Sequence, residues 1–180
     1  TIMSSVNLIK HPMAGNCLKI LRSKDTKTEE FRRAMDKLGL LLAMEATCDL
    51  ETVTDSVITP LEVEAHCSFV NDCRILLIPI LRAGLGFVES FTRILSSAKV
   101  AHIGIARDHD TLEAKPYLNT VPDDPDEFDR VLVLDPMLAT GNSSVKALEM
   151  VINKGYSPDK ITFCCALSTK VGIDQLQQKY

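Results

Sequence analysis

Short, predominantly apolar segments return at intervals along this chain, and that pattern restricts the fold more than any other feature. The runs are Arg74-Ile-Leu-Leu-Ile-Pro-Ile80, Val100 to Ala106, Val131-Leu-Val-Leu134 and Ile161 to Leu167. A strand with one wet face alternates polar and apolar residues, whereas a continuous short run suits a parallel strand covered on both faces. Helical spacing fills the intervals from Phe87 to Leu95 and from about Ser144 to Lys154, and Val171 to Lys179 reads as a last helix. Gly155 stands where a C′ residue would stop the second of these. Such alternation predicts an α/β fold with a right-handed, mainly parallel sheet flanked by helices.

Upstream of these runs the pattern differs. Thr26 followed by Glu29 has capping-box spacing. Phe31, Met35, Leu38 and Leu42 then recur at helical intervals, predicting a helix that runs into Met44-Glu45-Ala46. Residues 50–67 hold two β-favouring pieces, Glu51 to Val57 and Leu61 to Ala65, broken at Thr59-Pro60. They predict a small β-hairpin appendage, set apart from the main sheet. With 180 residues, 46% of them hydrophobic, the chain is expected to form one domain over 1–180 with this appendage.

Charge and cysteine usage narrow the function class. A net charge of −4 argues against coating nucleic acid, which needs many Lys and Arg contacts to phosphate. It leaves room for a small anion held by a few local donors. None of the six cysteines forms a C-x-x-C pair, so they read as small buried hydrophobes in a reducing compartment. Cys164 and Cys165 should point to opposite faces of a strand. No apolar stretch reaches the roughly 18 residues that span a bilayer, and Thr1 onward shows no signal-peptide pattern. The expected setting is cytoplasmic, with no membrane partner.

Ligands of open α/β sheets bind outside the carboxyl ends of the strands, and three segments here leave such ends. In the first, the run Val131–Leu134 delivers Asp135 to its tip, and Pro136, Met137, Leu138, Ala139, Thr140, Gly141, Asn142 and Ser143 follow. This loop of mostly small residues turns into a helix, so Ala139 to Ser143 can present consecutive N–H groups to a phosphate dianion. Asp135, an acceptor-only side chain, is placed for sugar hydroxyls. The second segment, Pro79-Ile-Leu-Arg-Ala-Gly-Leu-Gly86, carries Arg82, Ala83 and Gly84 at another strand tip. Arg82 supplies a permanently charged fork matched to phosphate oxygens. The third, Arg107 to Lys115, is a polar excursion that reads as a lid carrying Arg107 to the substrate. His11, His66, His102 and His109 have neither nucleophile nor metal spacing, so no metal-ligating set is assigned. The acids Asp123-Asp124 and Asp126-Glu127 sit among prolines and read as a solvated turn.

On these segments the whole chain resembles the uracil phosphoribosyltransferase family. Asp135-Pro-Met-Leu-Ala-Thr-Gly141 is similar to its phosphoribosyl-pyrophosphate loop, including Asp-Pro where many relatives carry two adjacent acids. Pro79 to Gly86 is similar to its pyrophosphate loop, and Arg107-Asp-x-x-Thr-Leu-Glu with Pro116-Tyr117 to its flexible loop. His11-Pro12 and Glu45-Ala-Thr-Cys-Asp-Leu50 resemble its opening segments. The resemblance implies a Rossmann-like type I phosphoribosyltransferase fold. It also implies conversion of uracil and 5-phosphoribosyl 1-pyrophosphate to UMP and pyrophosphate, a step of pyrimidine salvage. Arg82 and Arg107 would hold the pyrophosphate, Asp135 the ribose hydroxyls and Ala139 to Ser143 the 5′-phosphate, with Met137 and Ala139 beside the base. Mg²⁺ would arrive chelated by the sugar donor. A homodimer or homotetramer and a GTP activator are further implied partners.

Two departures from that family stand out. Asn142 replaces the second glycine of a Thr-Gly-Gly-Ser pattern, and asparagine is among the residues that tolerate left-handed backbone. By the resemblance, the family's C-terminal uracil-recognition segment would follow Tyr180; the sequence is expected to be shortened relative to the functional protein, with a version that lacks the base pocket as the alternative. These departures define an alternative: a weakly active or inactive phosphoribosyl-pyrophosphate-binding regulator of the same fold. Transfer to another base, such as orotate or a purine, is a third reading, against which Asp135-Pro136 speaks.

Overall fold

The computed structural model describes residues 5–107 and 113–180. Two helices open it, α1 (Pro12–Arg22) and α2 (Thr28–Ala46). Pro12 sits in the first turn of α1, where its missing N–H costs nothing, and His11 Nδ1 accepts from the Met13 N–H. A hairpin follows, β1 (Val53–Ile58) and β2 (Glu64–Phe69), paired antiparallel from Val53 opposite Phe69 to Ile58 opposite Glu64. Then come β3 (Ile75–Leu81), α3 (Leu85–Ile94), β4 (Lys99–Val100), β5 (Ile103–Arg107), β6 (Ala114–Asn119) and β7 (Arg130–Leu134). The chain continues through β8 (Met137–Leu138), α4 (Asn142–Ile152), β9 (Ile161–Cys164), β10 (Leu167–Ser168) and α5 (Lys170–Lys179).

The apolar runs lie side by side, in the order β6-β5-β3-β7-β9, with β4 beside β3. All neighbours are parallel except β5 and β6. Because side chains alternate across a strand, each central strand feeds both faces. Leu76, Ile78, Ile80, Val131 and Val133 pack with Ala147, Leu148 and Val151 of α4. Ile75, Leu77, Leu132 and Leu134 pack with Met35 of α2 and with Phe87 and Phe91 of α3. Each such aliphatic side chain contributes about 1.5–3 kcal/mol when removed from water. Ala14 and Cys17 of α1 meet Ala34 and Leu38 of α2 in a smaller cluster.

Several expectations need correction. The helix α2 begins two residues after Thr26, whose hydroxyl instead donates to the Ile20 carbonyl. Half of a capping box forms one position later, with the Glu30 carboxylate accepting from the Lys27 N–H; lysine has no acceptor to complete it. The second hairpin strand starts at Glu64, because Leu61 lies in the turn, where it is 84% exposed. The run Val100 to Ala106 breaks at Ala101-His102, where the Ala101 N–H still reaches the Leu77 carbonyl. Ile161 to Leu167 likewise divides into β9 and β10. Ala114 and Lys115, expected in a polar loop, belong to an antiparallel edge strand with Lys115 opposite Ala106. Cysteine burial holds only in part: Cys17 and Cys164 are buried, Cys165 is half-buried, and Cys48, Cys67 and Cys73 are exposed. Among the described residues no helix is long and apolar enough to cross a membrane.

Candidate active site

The parallel pairing of β3 and β7 decides where the two anion-ready loops emerge. Pro79 is level with Leu134, so both chains leave the same edge of the sheet. The Leu81–Arg82 peptide is cis. Two residues on, the Gly84 N–H donates to the Ile80 carbonyl at 2.8 Å. A Cβ on Gly84 would stand 2.4 Å from the Leu134 carbonyl oxygen and 2.6 Å from the Ile80 nitrogen. The loop after β3 therefore rests its backbone on the tip of β7, an approach that only glycine permits. Arg82 and Ala83 face solvent, and Arg82 has no ion-pair partner among the described residues. Its side chain is exposed to solvent at the strand tip.

Asp135 sits one residue beyond β7 and is half-buried. Its N–H donates to the Cys164 carbonyl at 3.1 Å, and its Oδ1 accepts from the Met137 N–H at 3.3 Å. The carboxylate is thus oriented by a local Asx turn at the strand tip. Burial, with Asp135 adding to it, pushes the neighbouring Cys165 thiol up to about 11. Burial alone dominates at Cys164, raised to about 12. Both sulfurs stay protonated at neutral pH, which takes them out of nucleophilic chemistry.

Past Asp135 the loop is held from outside. The Pro136 carbonyl accepts from the N–H groups of Ala166 and Leu167, and β8 pairs parallel with β10. Thr169 both donates its N–H to the Leu138 carbonyl at 2.9 Å and bonds the Ala139 carbonyl through its hydroxyl. Leu138 is buried, whereas Met137 is 47% exposed beside the strand tips. Gly141 then adopts φ 88°, in the left-handed region, and serves as the N-cap of α4. The first hydrogen bond of that helix is Val145 N–H to Gly141 carbonyl at 2.8 Å. The amides of Asn142, Ser143 and Ser144 therefore have no intrahelical acceptor. No acid occupies the first turn, so nothing within α4 neutralises the positive end of its dipole. Thr140 is exposed and Ser143 half-buried, with hydroxyls at the same terminus.

Asn142 calls for a correction. It is the first residue of α4 with helical backbone, and Gly141 alone carries the left-handed turn. No tolerance of left-handed angles is asked of it. Its Oδ1 instead accepts from Gln175 Nε2 of α5 at 3.0 Å.

Arg107 ends β5, which neighbours β3 with Leu81 opposite Gly104, so its backbone belongs to the same edge of the sheet. The Arg107 side chain and most of the expected lid, residues 108–112 including His109, lie outside the described residues. The other candidates are structural. Asp123 pairs with Lys154, Asp124 caps a short turn and Glu127 pairs with Lys99. That acidic turn precedes β7, at the opposite edge of the sheet from Asp135. Among the described residues no group of three or more His, Cys, Asp or Glu could hold a metal ion. Helix α5, which buttresses the loop after β7 through Thr169 and Gln175, had no assigned role in the sequence reading. The signal was present, since Thr169 ahead of an amphipathic segment has N-cap character and accepts from the Gly172 N–H.

Comparisons with known proteins bear on the family and the fold. The family model for uracil phosphoribosyltransferase matches residues 8–180. A curated "Uracil phosphoribosyltransferase" of Sinorhizobium medicae is 42% identical over 97% of this chain and 82% of its own length. The solved AQ2163 protein from Aquifex aeolicus superposes with a TM-score of 0.85 at 31% identity, covering 96% of this chain and 80% of that one. A hypoxanthine-guanine phosphoribosyltransferase from Bacillus anthracis shares the fold more distantly, with a TM-score of 0.50 at 14% identity over 74% of this chain and 66% of that one. The family model spans nearly the whole chain and the Sinorhizobium medicae relative is 42% identical over most of both lengths: the chain belongs to the uracil phosphoribosyltransferase family.

Proposed function

We propose that this protein joins uracil to the ribose of 5-phosphoribosyl 1-pyrophosphate, forming UMP and releasing pyrophosphate. The C1′–oxygen bond to pyrophosphate breaks with its electron pair leaving on pyrophosphate, a C1′–nitrogen bond to uracil forms, and the proton of that uracil nitrogen passes to the departing pyrophosphate. One observation supports this most strongly: the Arg82 loop lies directly on the tip of the strand that carries Asp135. A donor with phosphate at one end and pyrophosphate at the other needs two such loops a sugar's length apart.

In this reading the N–H groups from Ala139 to Ser143, with the Thr140 and Ser143 hydroxyls, take the 5′-phosphate. Asp135 accepts from the ribose hydroxyls, and Met137 and Ala139 lie beside the base. Arg82, with Ala83 and Gly84, receives the pyrophosphate, and Arg107 joins it. As the bond to pyrophosphate lengthens, negative charge builds on the leaving oxygens, and fixed cations there lower the barrier. Mg²⁺ belongs to the substrate, as the chelate of the sugar donor. No protein nucleophile is required, in keeping with the protonated thiols of Cys164 and Cys165. The enzyme is assigned to the cytoplasm as a single domain that assembles into a homodimer or homotetramer. Exposed apolar side chains along the hairpin, among them Val57, Ile58, Val63 and Phe69, support the assembly.

Incubating the protein with Mg²⁺, the sugar donor and a panel of uracil, orotate, hypoxanthine and guanine tests the reading. UMP and pyrophosphate in equal amounts, with uracil alone, is the expected result. Binding of the donor with no pyrophosphate released from any base would favour the regulatory alternative.

A further inference from the structure

Gln175 lies on α5, outside every motif of the sequence, yet it touches the phosphate loop at two points. Its Nε2 donates to Asn142 Oδ1 at 3.0 Å. Its side chain also occupies the space that a Cβ on Gly141 would take, with Oε1 at 2.9 Å and both Cβ and Cδ at 3.4 Å from that position. Gly141 is the one left-handed turn of the loop, and Asn142 is the first residue of α4. Gln175 thus clamps the point where the loop becomes a helix and where the first amides have no intrahelical acceptor. Further contacts with this loop come from Thr169 at the start of α5, six residues earlier in the chain, from Ala166 and from β10. The Gln175–Asn142 bond ties this step to a second helix through side chains.

We infer that Gln175 is a positioning residue for the 5′-phosphate of the sugar donor, acting through Asn142 and Gly141. This inference rests on the proposed function. The departure from a second glycine acquires a purpose: glycine at position 142 would offer Gln175 no side-chain acceptor, and asparagine does. The pair holds the N–H groups in a phosphate-ready arrangement before ligand arrives, which reduces the ordering cost of binding. Its effect belongs to ligands that carry the 5′-phosphate.

The test compares Gln175→Ala, Gln175→Met, Asn142→Ala and the Gln175→Ala/Asn142→Ala double variant with the parent. Methionine keeps a side chain against Gly141 but removes the donor, so it carries the test if alanine impairs folding. One neutral hydrogen bond corresponds to roughly a three- to tenfold change in affinity. Gln175→Met should raise KM for 5-phosphoribosyl 1-pyrophosphate and Kd for UMP by about that factor. Its kcat, its KM for uracil, its thermal midpoint and its Kd for Mg²⁺-pyrophosphate should stay within twofold or a few degrees of the parent. The double variant should be no weaker than the worse single one, because both remove the same bond. Unchanged UMP affinity in a folded Gln175→Met protein, or equal weakening of pyrophosphate, would overturn the inference. A parent that forms no UMP and binds no UMP would overturn the proposed function instead.

Discussion

Arg82, Gly84 and Asp135 show how much single residues carry at the strand tips. Arg82 is exposed and unpaired among the described residues, so little of the folded state is expected to depend on it, and the proposed function gives it the pyrophosphate. Arg82→Ala should lower turnover by roughly 10²–10³-fold, the range for losing one transition-state donor, with the thermal midpoint unchanged. Steady-state kinetics beside a melting curve measures both, and equal turnover would remove Arg82 from the mechanism. Gly84 is the converse case. Its Cβ would meet the Leu134 backbone carbonyl at 2.4 Å, a neighbour that cannot rotate away. Gly84→Ala should cost about 1–3 kcal/mol in folding free energy, as overpacking does, and should displace Arg82. Denaturant unfolding reads the first effect and donor KM the second.

Among the elements, α5 is the one whose importance the sequence reading did not anticipate. Apart from its contacts with the loop after β7, it is tied to α4 through Lys179 and Glu149, with Lys146 also on Glu149. The hydrogen bond from Lys179 is the main reason the Glu149 carboxyl is held below its ordinary range. The sign follows from that depression. Above the usual glutamate value of about 4.3 the folded and unfolded chains are both ionised and the contribution is complete; as pH falls, the unfolded chain takes up the proton first and the contribution disappears. The parent should therefore melt higher than Glu149→Gln near pH 7, and the gap should close toward pH 3. Parallel melting temperatures across that range would show that the α4–α5 link adds nothing. Thr169→Ala should cost about 1 kcal/mol through loss of the α5 cap, and should loosen the Ala139 carbonyl contact as well.

At the scale of the whole molecule, the hairpin β1–β2 is the element least supported by the rest. Every residue of β1 and all but Ala65 of β2 are exposed. A two-stranded hairpin alone is marginal in water, and Ile58 and Leu61 are 66% and 84% exposed. Association between copies would cover these side chains. Sedimentation should give a dimer or larger species for the parent and a smaller one for the Ile58→Glu/Leu61→Glu variant, while the far-ultraviolet spectrum stays that of a folded α/β protein. A parent that sediments as a monomer at all concentrations would refute the assembly.

The parallel sheet was legible from hydrophobic pattern alone, because strands buried on both faces have to read as unbroken apolar runs, as Ile75 to Ile80 and Val131 to Leu134 do. Asp135 and Arg82 could be picked out for the same reason: polar residues directly after such runs must lie at the strand tips. Local pattern carried less about ends and edges. The break at Ala101-His102 and the pairing of β6 with β5 depend on what lies alongside, which no window of sequence contains. The approach of Gly84 to the Leu134 carbonyl and the bond from Gln175 to Asn142 join residues 50 and 33 positions apart. Contacts of that span have no periodicity to betray them; they exist only once the sheet has set β3 beside β7 and brought α5 against the loop.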